Sequence, residues 1–168
     1  MIFHASIPAD NPAHVAGVFA ELWNAEVHPF VFPDSFVVIP ASQHGTIIEI
    51  VPRGDEQVPA TTEVGIHRNP SPSQYNECHL NVATHLSEAE ILALGEREGW
   101  IARTCDRAAF NLVELWIENR FLIELMTPEE QARYVAFYQD AANWREAARH
   151  VPMPLPQFGY TEKWLAGP

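Results

Sequence analysis

The spacing of apolar residues over the first fifty positions predicts one strand, one helix and three further strands. Residues 2–7 form a short, largely apolar run that is typical of a strand. Asn11 followed by Pro12 predicts a helix start, because an Asn side chain caps free backbone N–H groups and Pro suits the first helical position. The apolar stripe of this helix is Val15, Phe19, Leu22 and Trp23. Three strand-like runs separated by turn residues follow, at 27–32, 36–39 and 46–51.

The same order of elements returns about 75 residues later. Residues 78–83 predict the opening strand of the second copy. Ser87 and Glu90 then form a capping box, the pattern in which each side chain satisfies a backbone donor at the helix start. The helix is expected to run to about Glu98. Strand-like runs follow at 100–105, 110–117 and 121–126. The sequence therefore predicts an α+β fold made of two βαβββ modules.

The segments outside the two copies complete the expected organisation. Residues 1–52 are the first module, 53–77 a linker, 78–127 the second module and 128–168 a C-terminal helix with a Pro-rich tail. The linker is rich in Pro, Gly, Thr, Ser and Asn and predicts a loop, with one short strand near 64–66. Thr127, Pro128 and Glu130 predict another capped helix start, and that helix is expected to reach about Arg149.

Charge narrows the range of partners. The 168 residues include 22 acidic and 10 basic side chains, a formal net charge of −12. Phosphate backbones and anionic membrane surfaces repel such a chain, so we expect neither nucleic acid nor membrane as a partner. The longest apolar runs are far shorter than a membrane span, and the first residues lack a secretory signal pattern. Two cysteines make no disulfide framework, so a cytoplasmic protein is expected.

Two histidines and two glutamates recur at one spacing. His4 precedes Glu49 by 45 residues, and His79 precedes Glu124 by 45 residues. Each histidine lies on the first strand of its copy, and each glutamate lies in an otherwise apolar last strand. A carboxylate that is buried without a partner costs several kcal/mol or stays protonated. A cation held with the two imidazoles would compensate, so the four side chains predict one shared metal site.

The donor types restrict the metal and suggest neighbours for a substrate. Two imidazoles and two carboxylates suit Ni, Co, Mn, Zn or Fe(II), and an octahedral ion would keep two positions for a small-molecule substrate. Ser6 and Asn81 stand two residues after the histidines and hence on the same strand face. We expect them to contact the substrate. Trp116 is one of several aromatic side chains that could line a cleft.

These motifs resemble the vicinal oxygen chelate superfamily, which includes glyoxalase I, methylmalonyl-CoA epimerase, extradiol dioxygenases and bleomycin and fosfomycin resistance proteins. The segment from His44 to Ile50 is similar to the family's Asp-Gly-x-x-x-Glu-Leu ending, and 118–125 is its counterpart, with Arg120 in place of the usual turn glycine. The resemblance implies sheets that curve around a metal-binding cleft. It places the metal ligands at His4, Glu49, His79 and Glu124.

The resemblance also implies a function. A divalent metal would assist removal of a proton next to a carbonyl group, in isomerase, epimerase or lyase chemistry of the glyoxalase I type. Glu124 is the first candidate for the base and Glu49 the second. Two alternatives stay open: an extradiol-type Fe(II) dioxygenase, which a fourth ligand would crowd, and a metal-free binding or resistance protein with an aromatic cleft. A homodimer is expected, and family members pair their modules either within one chain or across a dimer.

Overall fold

The first sheet has the strand order that the first copy predicts. A computed structural model describes residues 2–41 and 44–150 of the chain. The first module comprises β1 (His4–Ala9), α1 (Pro12–Trp23), β2 (Ala25–Pro29), β3 (Phe36–Pro40) and β4 (Ile47–Pro52). The four strands form one sheet in the order β1-β4-β3-β2, in which β1 runs parallel to β4. The first and last strands of the module are therefore neighbours.

The linker folds into a hairpin rather than a loop with a single short strand. Its strands are β5 (Asp55–Pro59) and β6 (Val64–Arg68), which pair antiparallel as a separate two-stranded sheet. Apolar and polar side chains do not alternate clearly in this segment, because most of its side chains are exposed on both faces of the hairpin. This explains why the hydrophobic pattern reveals only the apolar centre of β6.

The second module repeats the first. It comprises β7 (Leu80–Ala83), α2 (Glu88–Glu98), β8 (Ala102–Asp106), β9 (Asn111–Ile117) and β10 (Phe121–Met126). Its sheet has the order β7-β10-β9-β8, with β7 parallel to β10. The predicted α+β fold with two βαβββ modules is confirmed.

The two modules share one hydrophobic core. Each helix covers one face of its own sheet, and the apolar side chains of both covered faces form a single cluster. Fully buried members include Phe19, Ile50, Ile91, Leu115 and Ile123. Burial of side chains of this size stabilises a fold by roughly 1.5–3 kcal/mol each. The opposite face of each sheet, which we call its open face, is turned away from this core.

Polar contacts also join the modules. The Glu118 carboxylate accepts hydrogen bonds from the backbone N–H groups of Asp10 and Asn11, at the start of α1. Glu118 and Asn119 both have positive φ, at 51° and 58°, in the turn between β9 and β10. The left-handed positions of this turn are therefore 118 and 119, and Arg120 can occupy the position where the resemblance leads one to expect glycine.

Two of the three predicted helix starts have the predicted side-chain cap, and the third does not. The Asn11 side chain caps α1, and Ser87 and Glu90 form both bonds of the capping box, as predicted. Thr127 makes no side-chain cap. Glu130 is used elsewhere: its carboxylate accepts hydrogen bonds from the backbone and side-chain amides of Asn111, which attaches the start of the next helix to β9.

The single C-terminal helix predicted for 128–149 is wrong, because the segment contains two helices. These are α3 (Pro128–Tyr138) and α4 (Ala141–His150). Asp140 accepts a hydrogen bond from the Ala142 N–H, and the Asn143 side chain donates to the Ala136 and Phe137 carbonyls. These polar contacts end one helix and begin the next. The predicted Pro-rich tail lies outside the described residues. Within the described part of the chain, no helix combines the length and apolarity that a bilayer crossing requires.

Candidate metal centre

The predicted ligands lie on the open faces of the two sheets. Ile7, Ile48 and Ile50 enter the core from β1 and β4, so the residues that alternate with them face the other way. Ser6 is directly opposite Glu49 in the parallel pair, and Asn81 is directly opposite Glu124. The duplication therefore puts equivalent residues at equivalent places in both sheets.

The first half-site consists of His4, Ser6 and Glu49. Glu49 is only 8% exposed, although it is a carboxylate. The Ser6 hydroxyl donates a hydrogen bond to its Oε2 at 2.6 Å, and the Nε2 of His4 is 3.9 Å from its Oε1. One carboxylate oxygen is thus held by the protein while the other faces an imidazole. The His4 side chain is more than half exposed, so solvent reaches this half-site.

The second half-site consists of the corresponding residues of the second module, His79, Asn81 and Glu124. The Nε2 of His79 is 3.6 Å from the Oε2 of Glu124, and the Asn81 amide donates to the same oxygen at 3.4 Å. Ser6 and Asn81, which we predicted to bind substrate, therefore contact the candidate metal-ligand carboxylates.

A second buried carboxylate and two arginines extend the second half-site. Glu114 on β9 is directly opposite Glu124 on β10 and is 8% exposed. Like charges that face each other across strands are destabilising. The Nη2 of Arg107 resolves this conflict, because it lies 3.1 Å from a Glu114 oxygen and 3.0 Å from the Oε1 of Glu124. Arg103 binds the other Glu114 oxygen through Nε at 2.7 Å and Nη2 at 2.6 Å.

The arginines keep Glu114 ionised. Burial acts to raise the pKa of Glu114, but hydrogen bonds from Arg103, Cys105 and Arg107 outweigh burial, and its pKa lies below the ordinary value. Glu114 and both arginines are site residues that the sequence did not predict. The signal was present for Glu114, since it too is a carboxylate within an apolar strand.

Helix α3 covers one end of the second open face. Its residues Tyr134 and Phe137 pack on three apolar side chains of this face. These are Phe110, which directly precedes β9, Leu112 of β9 and Met126 at the end of β10. The rings of Tyr134 and Tyr138 lie 4.7 Å apart. Burial, together with the nearby Tyr134 and Glu124, raises the pKa of Tyr138. The C-terminal addition to the two modules therefore brings an aromatic cluster to the edge of the second half-site.

A cavity of about 500 Å³ adjoins the first half-site. His4 and Ser6 of the first half-site line this cavity. It is also lined by Gln57 of β5 and by Asn76 of the loop between β6 and β7. The hairpin and the loop after it thus enclose space next to the candidate ligands. Trp116, the third predicted substrate contact, lies on the open face of β9. Its ring packs against Tyr75, with centroids 6.4 Å apart.

The chain brings the four predicted ligands together as two pairs. Among the described residues, no group of three or more His, Cys, Asp or Glu side chains lies close enough to hold one metal ion. Each pair alone offers one imidazole nitrogen and one carboxylate. Such donors suit a divalent transition metal, but two are fewer than the four protein ligands usual at a closed site.

Comparison with known proteins shows similarity of fold rather than of sequence. No family model matches the chain, and no curated protein matches it. The genomically encoded fosfomycin resistance protein FosX from Listeria monocytogenes is similar with a TM-score of 0.51 and 15% identity, over 80% of this chain and 97% of FosX. A glutamate-to-glutamine variant of FosX was solved with Mn(II) and 1S,2S-dihydroxypropylphosphonic acid. It is similar with a TM-score of 0.50 and 14% identity, over 79% of this chain and 97% of the variant.

A binding protein shares the same architecture. TnmS3, an antibiotic binding protein from Streptomyces sp. CB03234, is similar with a TM-score of 0.50 and 16% identity, over 76% of this chain and 95% of TnmS3. Identities this low support a common fold alone.

Proposed function

We propose that this chain, which has the fold of the vicinal oxygen chelate superfamily, is a metal-dependent enzyme that removes a proton next to a carbonyl group of a small metabolite. One observation carries the proposal. On the open face of each sheet, a largely buried glutamate directs one oxygen toward an imidazole and has another oxygen bound by a neighbouring side chain. Two such pairs would supply the four donors of a divalent metal site.

The two half-sites would meet in a homodimer. Helices α1 and α2 cover the core faces of the two sheets and α3 covers one end of the second open face, so the rest of both open faces remains for contact between protomers. In a two-fold dimer the first open face of each protomer can meet the second open face of its partner. This arrangement gives two equivalent sites. Each site would contain His4 and Glu49 of one protomer and His79 and Glu124 of the other.

The residues have distinct proposed roles. When bound, a divalent cation would polarise adjacent substrate oxygens as a Lewis acid and stabilise negative charge that develops beside the carbonyl. Ser6 and Asn81 orient Glu49 and Glu124 through their hydrogen bonds. Glu124 is the proposed proton acceptor and Glu49 the second candidate. FosX has this fold and was solved with Mn(II), which supports a divalent metal here.

A metal-free binding protein is the second candidate. The aromatic cluster of Phe110, Tyr134 and Tyr138 could bind an apolar small molecule, and TnmS3 shows that the fold serves antibiotic binding.

An extradiol-type dioxygenase is the less favoured enzyme, because two histidines and one carboxylate suffice for its Fe(II) and a second glutamate would crowd the ion. A cytoplasmic location remains a prediction.

Metal content and turnover test the proposal together. Protein purified without chelators and reloaded with Ni, Co, Mn, Zn or Fe(II) is assayed on 2-oxoaldehyde–thiol adducts and on acyl-CoA epimers. We expect metal binding by the wild type and turnover of one substrate class. Glu124→Gln should keep the fold and lose turnover by about 10²–10⁴-fold, the usual contribution of a general base. A wild type that binds none of these metals would favour the metal-free binding protein instead.

A further inference from the structure

Arg107 distinguishes the second half-site from the first. His4 and His79 are 75 positions apart, and the residue 75 positions before Arg107 is Phe32. The row across the first sheet reads Ser6, Glu49 and Val37, whereas the row across the second reads Asn81, Glu124 and Glu114. The two modules are thus alike in their candidate ligands but differ in the charges beside them.

The charges beside Glu124 balance only while no cation is bound. Arg103 contacts Glu114 through two nitrogens, so these two groups neutralise each other. Arg107 is left to neutralise Glu124. A divalent cation held by Glu49 and Glu124 would take over that role, since two carboxylates balance its two charges. The guanidinium of Arg107 would then carry one unmatched positive charge.

The geometry leaves donors of Arg107 available. A guanidinium has five N–H groups, and both contacts to carboxylates use Nη2 alone. Its Nε and Nη1 have no acceptor within the described part of the chain. The side chain is 36% exposed on the open face, so a ligand can reach it. The three free N–H groups lie in the guanidinium plane, and each can donate a charge-assisted hydrogen bond to an oxygen of a carboxylate or phosphate group.

We propose that Arg107 is an anion-binding residue, which holds an oxyanion group of the substrate, carboxylate or phosphate, beside Glu124. The inference rests on the proposed function, because the metal supplies the charge that frees the guanidinium. The substrate would be a carbonyl compound that carries a negative group close to its metal-binding oxygens. In a chain of net charge −12, this is a local positive site that selects an anion.

Calorimetry with inorganic phosphate tests the inference. Phosphate is titrated into wild type, Arg107→Met, Arg107→Lys and the control Arg133→Met, each with and without Mn²⁺. Arg133 is a matched control, since its guanidinium also contacts two carboxylates, of Glu129 and Glu130. We expect phosphate affinity of the loaded protein to fall about tenfold in Arg107→Met, the loss of one charge-assisted bond. Arg107→Lys should keep most of the affinity, and Arg133→Met all of it.

Metal affinity separates the possible failures. Arg107→Met should bind Mn²⁺ at least as tightly as wild type, because the competing cation on Glu124 is gone. Equal phosphate affinity in wild type and Arg107→Met, with Mn²⁺ bound, would overturn the anion site and leave the proposed function intact. If the wild type binds no metal, the proposed function fails. In that case, phosphate binding that is lost in Arg107→Met would support an anion site on the unused Nε and Nη1 donors without a metal, and no loss in Arg107→Met would overturn the anion site as well.

Discussion

Replacing Glu49 with Gln should change the stability of the protein in opposite directions with and without metal. Glu49 is buried, and its ion-pair partner among the described residues is the mostly exposed imidazole of His4, which is 3.9 Å away and carries a charge only when protonated. A pair of this kind contributes about 0–1 kcal/mol. Removing a carboxylate from water costs several kcal/mol, which this weak pair does not offset. In metal-free wild type the buried charge of Glu49 therefore lowers the stability of the fold, and substitution by Gln would remove this penalty.

The size of the effect follows from the contacts of Glu49. The Ser6 hydroxyl can donate to the Gln oxygen as it does to Oε2, so the change loses only the charge-assisted part of that bond, about 1 kcal/mol. Metal-free Glu49→Gln should thus be as stable as wild type or more stable by about 1 kcal/mol. With metal at about 100 times its Kd, wild type gains about 2.7 kcal/mol, which for a chain of this length is roughly 5–10 °C in Tm. Glu49→Gln should gain almost nothing.

Thermal unfolding at one protein concentration, with chelator and with each metal, measures both effects. Glu56→Gln is the control, because this carboxylate is exposed on the hairpin and accepts a hydrogen bond from Asn69. It should follow wild type in both conditions. A metal-free Glu49→Gln protein that is less stable than wild type by more than about 1 kcal/mol would refute the reasoning, since Glu49 would then be a residue that the fold requires.

Two further predictions concern α2. Glu98 accepts hydrogen bonds from His14 and Arg97, and although burial acts to raise its pKa, these contacts hold it below the ordinary value. Glu98→Gln should therefore lower urea stability at pH 7 by about 1–3 kcal/mol, and the difference from wild type should shrink as pH falls through this lowered pKa; a constant difference would contradict the assignment. Gly95→Ala would place a Cβ 2.4 Å from the Cβ of Ala102, so the stability should fall by about 1–3 kcal/mol despite the better helix propensity of Ala; equal urea midpoints would contradict this.

Periodicity and duplication predicted most of the fold. Both β4 and β10 are short apolar runs bounded by turn residues, so the sequence located them to within one residue. The predicted metal site required the first and last strands of each module to be neighbours, and the structure has this pairing, with His4 close to Glu49 and His79 close to Glu124.

Other features depend on long-range contacts that a local pattern does not contain. The break between α3 and α4 is made by the side chains of Asp140 and Asn143, which are common polar residues within an otherwise helical stretch. Arg103 lies near the start of the edge strand β8 and Arg107 directly after its end, so nothing in the sequence assigns them to Glu114 and Glu124. Whether two half-sites meet within a chain or between chains depends on how the sheets are arranged around the shared core.

The shared site between protomers is tested most directly by mixing two inactive variants. His4→Ala and His79→Ala each remove one ligand from an exposed position, so neither homodimer should bind metal tightly. In a heterodimer of the two, one site lacks both histidines and the other keeps all four ligands. After denaturation and refolding as an equimolar mixture, random pairing should restore bound metal to about one quarter of the wild-type amount. A mixture that binds no more metal than either variant alone would contradict a site built from two protomers.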